Sequence, residues 1–384
     1  HRNIFHGSEN LGFKISYSQE SMTGVDTSLK RVQDFGLEVS LDFPRVLFPF
    51  LTHDFKKRMV ATTSILFSYD RQKLSYDRQL YNFSWKYSWT KRRFYNYSFS
   101  LFDYNLVKMK NAEDFTKRYL SRHTNPILLY NYTDHQILCA GFGYTFDNQS
   151  NQRLLNRKTF RASLELGGNL IHSFRNVFNY KTDSLGHRLV FDVPYSQYAK
   201  TEIEYAYNQF IHEKCRIAYH AKVGLAVPYG NSDGVPFEKR FFAGGASGVR
   251  GWNVRSLGPG EYMSGTNYLA QTGDVNLLMN WEYRFKMFWK LELALFLDAG
   301  NIWTIKEYDE QPKGAFYFNE FYKQIALATG AGLRLDFNYF LIRFDLGMKV
   351  HDPKQIESGR AWRFAHHFKP HDDFAFHFAV GYPF

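Results

Sequence analysis

The chain has no run of about eighteen apolar residues, which excludes a transmembrane helix. It has only two cysteines in 384 residues. Strand alternation places Cys139 on an inner face with Gly141 and Gly143, and Cys215 on an outer face with Ile217 and Tyr219. Cysteines on opposite faces of separate strands are not expected to pair. There is no repeat array, no linker, no low-complexity tract and no second domain, so residues 1–384 read as one domain. No GxSxG nucleophile motif is present. No nucleic-acid motif accompanies the net charge of +11, whose Lys and Arg are spread along the chain. That excess fits anionic lipid or lipopolysaccharide as a neighbour, or a merely solvated surface. The sequence opens at His1-Arg2-Asn3 without a leader, so a processed protein, an excised domain or part of something longer is expected.

What is abundant is aromatic. Phe, Tyr and Trp make up 19% of the residues, yet mean hydropathy is only −0.44. A membrane β-barrel predicts this pairing, because its lipid face is aromatic while its lumen and loops are polar. The rival is a large soluble all-β protein. Period-2 alternation runs from end to end and favours the first. In 81–89 the odd positions are Tyr, Phe, Trp, Tyr and Trp, and the even ones are Asn82, Ser84, Lys86 and Ser88. In 275–285 the outer set is Val, Leu, Met, Trp, Tyr and Phe, against Asn276, Leu278, Asn280, Glu282 and Arg284 inside. A soluble sandwich would bury its apolar set and favour smaller aliphatics.

About fourteen strands follow, near 10–18, 32–42, 57–70, 78–90, 93–107, 135–147, 157–168, 197–209, 214–227, 273–286, 290–300, 324–337, 340–350 and 373–384. Long and short connections alternate in step. That parity predicts short periplasmic turns and long external loops, with Phe384 on the periplasmic side. The expected fold is an all-β, antiparallel transmembrane barrel with one long loop in its lumen.

Three features bear on function. The first is 241–259, FFAGGASGVRGWNVRSLGP, which sets Arg250 between Val249, Gly251 and Trp252 and includes Gly244 and Gly245. It reads either as a flexible external loop or as a device that carries a cation to a fixed partner. The second is Phe296-Leu297-Asp298-Ala299-Gly300, where alternation turns Phe296 and Asp298 inward beside Glu282 of the preceding strand. Two inward carboxylates on adjacent strands are where a loop arginine would dock. The third is the last strand, with Phe374, Phe376, Phe378, Val380, Tyr382 and Phe384 on one face. An aromatic-terminated last strand suggests a signal read by barrel-assembly machinery. Gly381 and Pro383 would weaken pairing there, or simply end the strand.

The chain resembles the barrel domain of the BamA/TamA superfamily of outer-membrane insertases and translocators. VRGW and FLDAG stand in the order and spacing of the family's VRGF/Y loop and FxDxG strand, and FFAGGAS resembles its approach to the loop. The resemblance implies that Arg250 meets Asp298 and Glu282. It implies a barrel of about sixteen strands, so the first two strands and the periplasmic POTRA domains would lie upstream. It also implies insertion of nascent barrel proteins at a lateral seam, with periplasmic or lipoprotein accessory subunits, in a bacterial outer membrane.

The alternative is a translocation pore of the two-partner secretion type, or a porin-like channel. No cofactor, metal or catalytic residue is expected. His366, His367, His371, Asp372 and Asp373 crowd one external loop, but solvated or packing roles are the plainer reading.

Overall fold

In the computed structural model, residues 9–21, 31–47, 60–73, 77–110, 133–148, 155–178, 180–183, 186–262, 271–309, 311–337, 339–365 and 369–384 are described. Period-2 sequence becomes strand throughout. The strands are β1 (Asn10–Ser21), β2 (Arg31–Phe43), β3 (Val60–Lys73), β4 (Asp77–Lys91), β5 (Tyr95–Lys110), β6 (His135–Asp147) and β7 (Arg157–Gly167). A small hairpin, β8 (Leu189–Val190) and β9 (Val193–Pro194), precedes β10 (Tyr198–His212), β11 (Cys215–Pro228), β12 (Val275–Lys286) and β13 (Leu291–Trp303). The chain closes with β14 (Ala326–Asp336), β15 (Leu341–His351) and β16 (Phe374–Val380). Apart from the hairpin, these form one 14-stranded sheet in sequence order, antiparallel from strand to strand. All fourteen expected strands are present. No helix among the described residues is long and apolar enough to cross a membrane.

The chain divides into two compact units. One comprises 1–145, 163–201 and 227–236. Within it, Cys139 Sγ lies 2.9 Å from Tyr198 Oη, and Asn231 donates to the carbonyl of Tyr195 at 2.9 Å. The other unit comprises 146–162, 202–226 and 237–384 and contains every motif singled out above.

In this second unit the usual partition of side chains is reversed. Met279, Leu295, Leu297, Leu346, Phe376, Phe378 and Val380 are exposed. Glu282, Asp298, Arg334 and Asp345, on the opposite face of the same sheet, are fully buried. Soluble domains expose charge and bury large apolar groups, so this sheet is built for an apolar surround.

One expectation holds with an added detail, and one needs correction. Cys215 occupies an outer position but is buried, because Tyr283, one diagonal away on β12, brings its hydroxyl 3.1 Å from the thiol. Neither cysteine is in a disulfide, as expected. The last strand is also shorter than its alternation implies, ending at Val380. Gly381 takes φ 90°, a left-handed conformation open to glycine, and its amide closes on the Leu341 carbonyl at 2.8 Å. Tyr382 and Phe384 therefore do not continue the apolar row of Phe376 and Phe378.

Candidate functional site

Within the connection from β11 to β12, residues 241–259 return onto the polar face of the sheet. Isolated bridges Phe241–Gly273 and Ala243–Leu257 close its neck. Gly244 and Gly245, both at φ 90°, then turn the backbone so that the Gly245 amide meets the Trp252 carbonyl at 2.8 Å. A side chain at Gly244 would collide with the Asn253 carbonyl. This tight turn presents Val249, Arg250 and Trp252, all buried, to β12–β15.

Arg250 is held on every side. Its Nε donates to Asp298 Oδ2 and its Nη2 to Asp298 Oδ1, both at 2.8 Å, a two-toothed guanidinium–carboxylate pair. Its backbone amide also donates to Asp298 Oδ2, at 3.0 Å. Its Nη1 donates to Glu282 Oε2 at 2.6 Å, and the guanidinium carbon sits 3.6 Å from the centre of the Phe296 ring. Burial alone would favour the neutral form of the side chain. Asp298 and then Glu282 outweigh it and hold the guanidinium pKa above its ordinary value.

The remaining loop backbone is held by wall residues. Asn280 Nδ2 bridges Asp298 Oδ1 at 2.8 Å and the Gly248 carbonyl at 2.9 Å. Arg343 donates to the Ala246 carbonyl at 2.8 Å and to Ser247 Oγ at 3.0 Å. Gly251 packs against Ala328, and Lys349 Nζ lies 5.3 Å from the centre of the Trp252 ring. Gly347 leaves the space in which the Arg250 carbonyl sits, and a methyl group there would collide with that oxygen. Gly300, the last residue of the FLDAG motif, pairs with Leu278.

A second ring of charge surrounds the first. Arg284 Nε donates to Glu282 Oε1 at 2.6 Å. Arg334 Nη2 lies 2.9 Å from Glu282 Oε2 and 3.3 Å from Asp345 Oδ1. Arg343 Nη1 is 3.1 Å from Asp345 Oδ2, which lies 3.7 Å from Arg250 Nη1. The expected trio of Arg250, Asp298 and Glu282 is thus brought together, with Phe296 beneath it. Sequence reasoning did not single out Arg334, Arg343, Asp345 or His377 as site residues. Their signal was the same inward alternation that placed Glu282.

The end of the chain departs from expectation. Beyond Gly381, the Tyr382 ring lies 4.5 Å from the Arg284 guanidinium carbon, and Phe384 stacks on His220 at 4.9 Å with an 8° tilt. His220 and Arg284 belong to the polar face, so both aromatics have changed sides. Of the loop histidine group, His366 and His367 lie outside the described residues. Asp373 accepts from Arg363 Nε at 2.6 Å and from the Lys369 amide at 2.7 Å.

The Omp85 superfamily domain matches residues 3–384. The outer membrane protein assembly factor BamA of Neisseria meningitidis serogroup B is 32% identical over 99 residues, 24% of this chain and 12% of that protein. BamA from Haemophilus ducreyi lacking POTRA domains 1-3 superposes with a TM-score of 0.60 at 13% identity, covering 97% of this chain and 70% of that one. CdiB from Acinetobacter baumannii superposes with a TM-score of 0.52 at 13% identity, covering 99% of this chain and 54% of that one. The chain thus spans a small part of the curated relative and about half of the CdiB chain. The fold shared with these structures is a transmembrane β-barrel, whose polar face lines the lumen.

Proposed function

This chain belongs to the Omp85 superfamily of outer-membrane insertion and translocation proteins, and from that premise we propose that it is the barrel of an assembly factor. In this reading it inserts nascent barrel proteins into a bacterial outer membrane at a seam beside its last strand. The observation that carries the reading is the docking of Arg250 on Asp298 and Glu282. A loop pinned at Asp298 to the wall that faces the lumen suits a wall that opens sideways better than an open porin-like bore. An exposed strand edge would let a client add its own strand by main-chain hydrogen bonding. Its surroundings would be outer-membrane lipid and lipopolysaccharide, its partners client barrels and periplasmic or lipoprotein subunits, and Phe384 would face the periplasm. The test is depletion in cells. Levels of several unrelated outer-membrane barrels should fall together, and unchanged levels of all of them would sink the reading.

The similarity to CdiB keeps a second reading in view, a substrate-specific translocation pore. Planar-bilayer conductance separates the two. A large, steady, ion-selective current would favour the pore, and small erratic openings the assembly factor.

A further inference from the structure

Docking the loop creates a problem that Arg250's side chain does not solve. The Arg250 carbonyl is carried into a buried site, and a buried carbonyl without a donor is costly. The donor comes from the last strand: His377 Nε2 hydrogen-bonds the Arg250 carbonyl oxygen at 3.0 Å. Since the acceptor is a carbonyl, Nε2 must carry the proton. His377 is buried and lies directly opposite Asp345 in the β15–β16 register, above the carboxylate that approaches Arg250, Arg334 and Arg343. The same strand is held again past its end, where Tyr382 lies over Arg284 and Phe384 stacks on His220. Arg284 in turn grips Glu282, and Glu282 grips Arg250. One cluster therefore holds both the loop and the last strand, at two places on the strand.

We propose that His377 is a positioning residue that couples loop docking to the placement of the last strand. While the loop is docked, the strand is drawn against the polar face. When the loop leaves, His377 loses its acceptor and the strand is released on that side. Coupling of this kind is reciprocal, so loosening either element must loosen the other. The proposal deepens the assembly reading and rests on it for its role in cells, but the coupling itself is measurable without any client.

The test is amide hydrogen exchange on the full-length protein in lipid nanodiscs. His377→Phe keeps an aromatic ring of similar size and removes the donor, whereas His377→Gln keeps a donor at comparable reach. Loss of one hydrogen bond should speed exchange in 246–257 by about fivefold in the Phe variant. The Gln variant should stay near the parent, and β4, in the first compact unit, should be unchanged in both. Arg250→Ala should, reciprocally, speed exchange in 374–384. Parental loop exchange in the Phe variant, or equal acceleration by Phe and Gln, would overturn the proposal. Should the Phe variant fail to fold, unchanged exchange of 374–384 in Arg250→Ala would overturn it alone. If the coupling is found while depletion leaves client levels normal, the assembly reading fails and the coupling stands.

Discussion

Asp298 accepts three hydrogen bonds from Arg250, two from the guanidinium and one from the backbone amide of the same residue. One carboxylate thus fixes both where the cation sits and which way the chain runs past it. Asp298→Asn would remove the charge and leave Arg250 buried beside an amide. Breaking one partner of a buried pair costs about 3–5 kcal/mol, to be read here as loss of loop docking. Protease sensitivity of residues 241–259 should rise while the barrel still runs as a folded, heat-modifiable species. A loop as resistant as in the parent would show that Asp298 is dispensable.

Arg250→Lys should behave more like Arg250→Ala than like the parent. An ammonium can reach Asp298 or Glu282, but it cannot present the planar fork that meets both while lying flat on Phe296. Both variants should assemble into barrels and fail to complement a depleted strain. Full complementation by lysine would mean that charge alone matters.

Gly347→Ala tests the space rather than the charge. The added methyl group would overlap the Arg250 carbonyl, and overpacking of this kind typically costs about 1–3 kcal/mol. The loop should undock with every ion-pairing residue still present. A parental protease pattern in 241–259 would contradict the packing described above.

Acid should loosen the segment before the last strand. Burial pushes the Asp373 carboxyl up, but the Arg363 hydrogen bond and the Lys369 amide outweigh it, and its pKa lies below the ordinary value. A depressed carboxylate stabilises the fold fully above its unfolded pKa of about 3.9, and the contribution is lost as pH falls through the folded value. Asp373→Asn should therefore lower thermal stability at pH 7, and the gap from the parent should close in strongly acidic buffer. A gap independent of pH would assign the effect to packing instead.

The strands were legible because a lipid-facing sheet keeps strict alternation, which is why 81–89 and 275–285 sorted into faces on sequence alone. Arg250, Asp298 and Glu282 were legible for a different reason: alternation turned the two acids inward on neighbouring strands, and the VRGW and FLDAG motifs resemble the family's loop and strand that meet. Gly381 marked a possible end of the last strand, and the strand ends at Val380; the change of face by Tyr382 and Phe384 was not legible. Which way the chain turns after a terminating glycine depends on the φ that it takes, here 90°, and Val380-Gly381-Tyr382 does not fix that value. Arg334, Arg343 and His377 were hidden among many inward polar residues. What distinguishes them is their contact with the docked loop or with the acids that hold it, which period-2 patterning does not encode.

The reversed partition of side chains has a consequence for the chain before it reaches a bilayer. In water the hydrophobic effect would reward hiding Leu295, Leu297, Phe376 and Phe378 and would leave Asp298 and Arg334 hydrated, the opposite of the native arrangement. Collapse in an aqueous compartment therefore pulls away from the native state, and the newly made polypeptide needs an escort that shields its apolar stripe until lipid can take over.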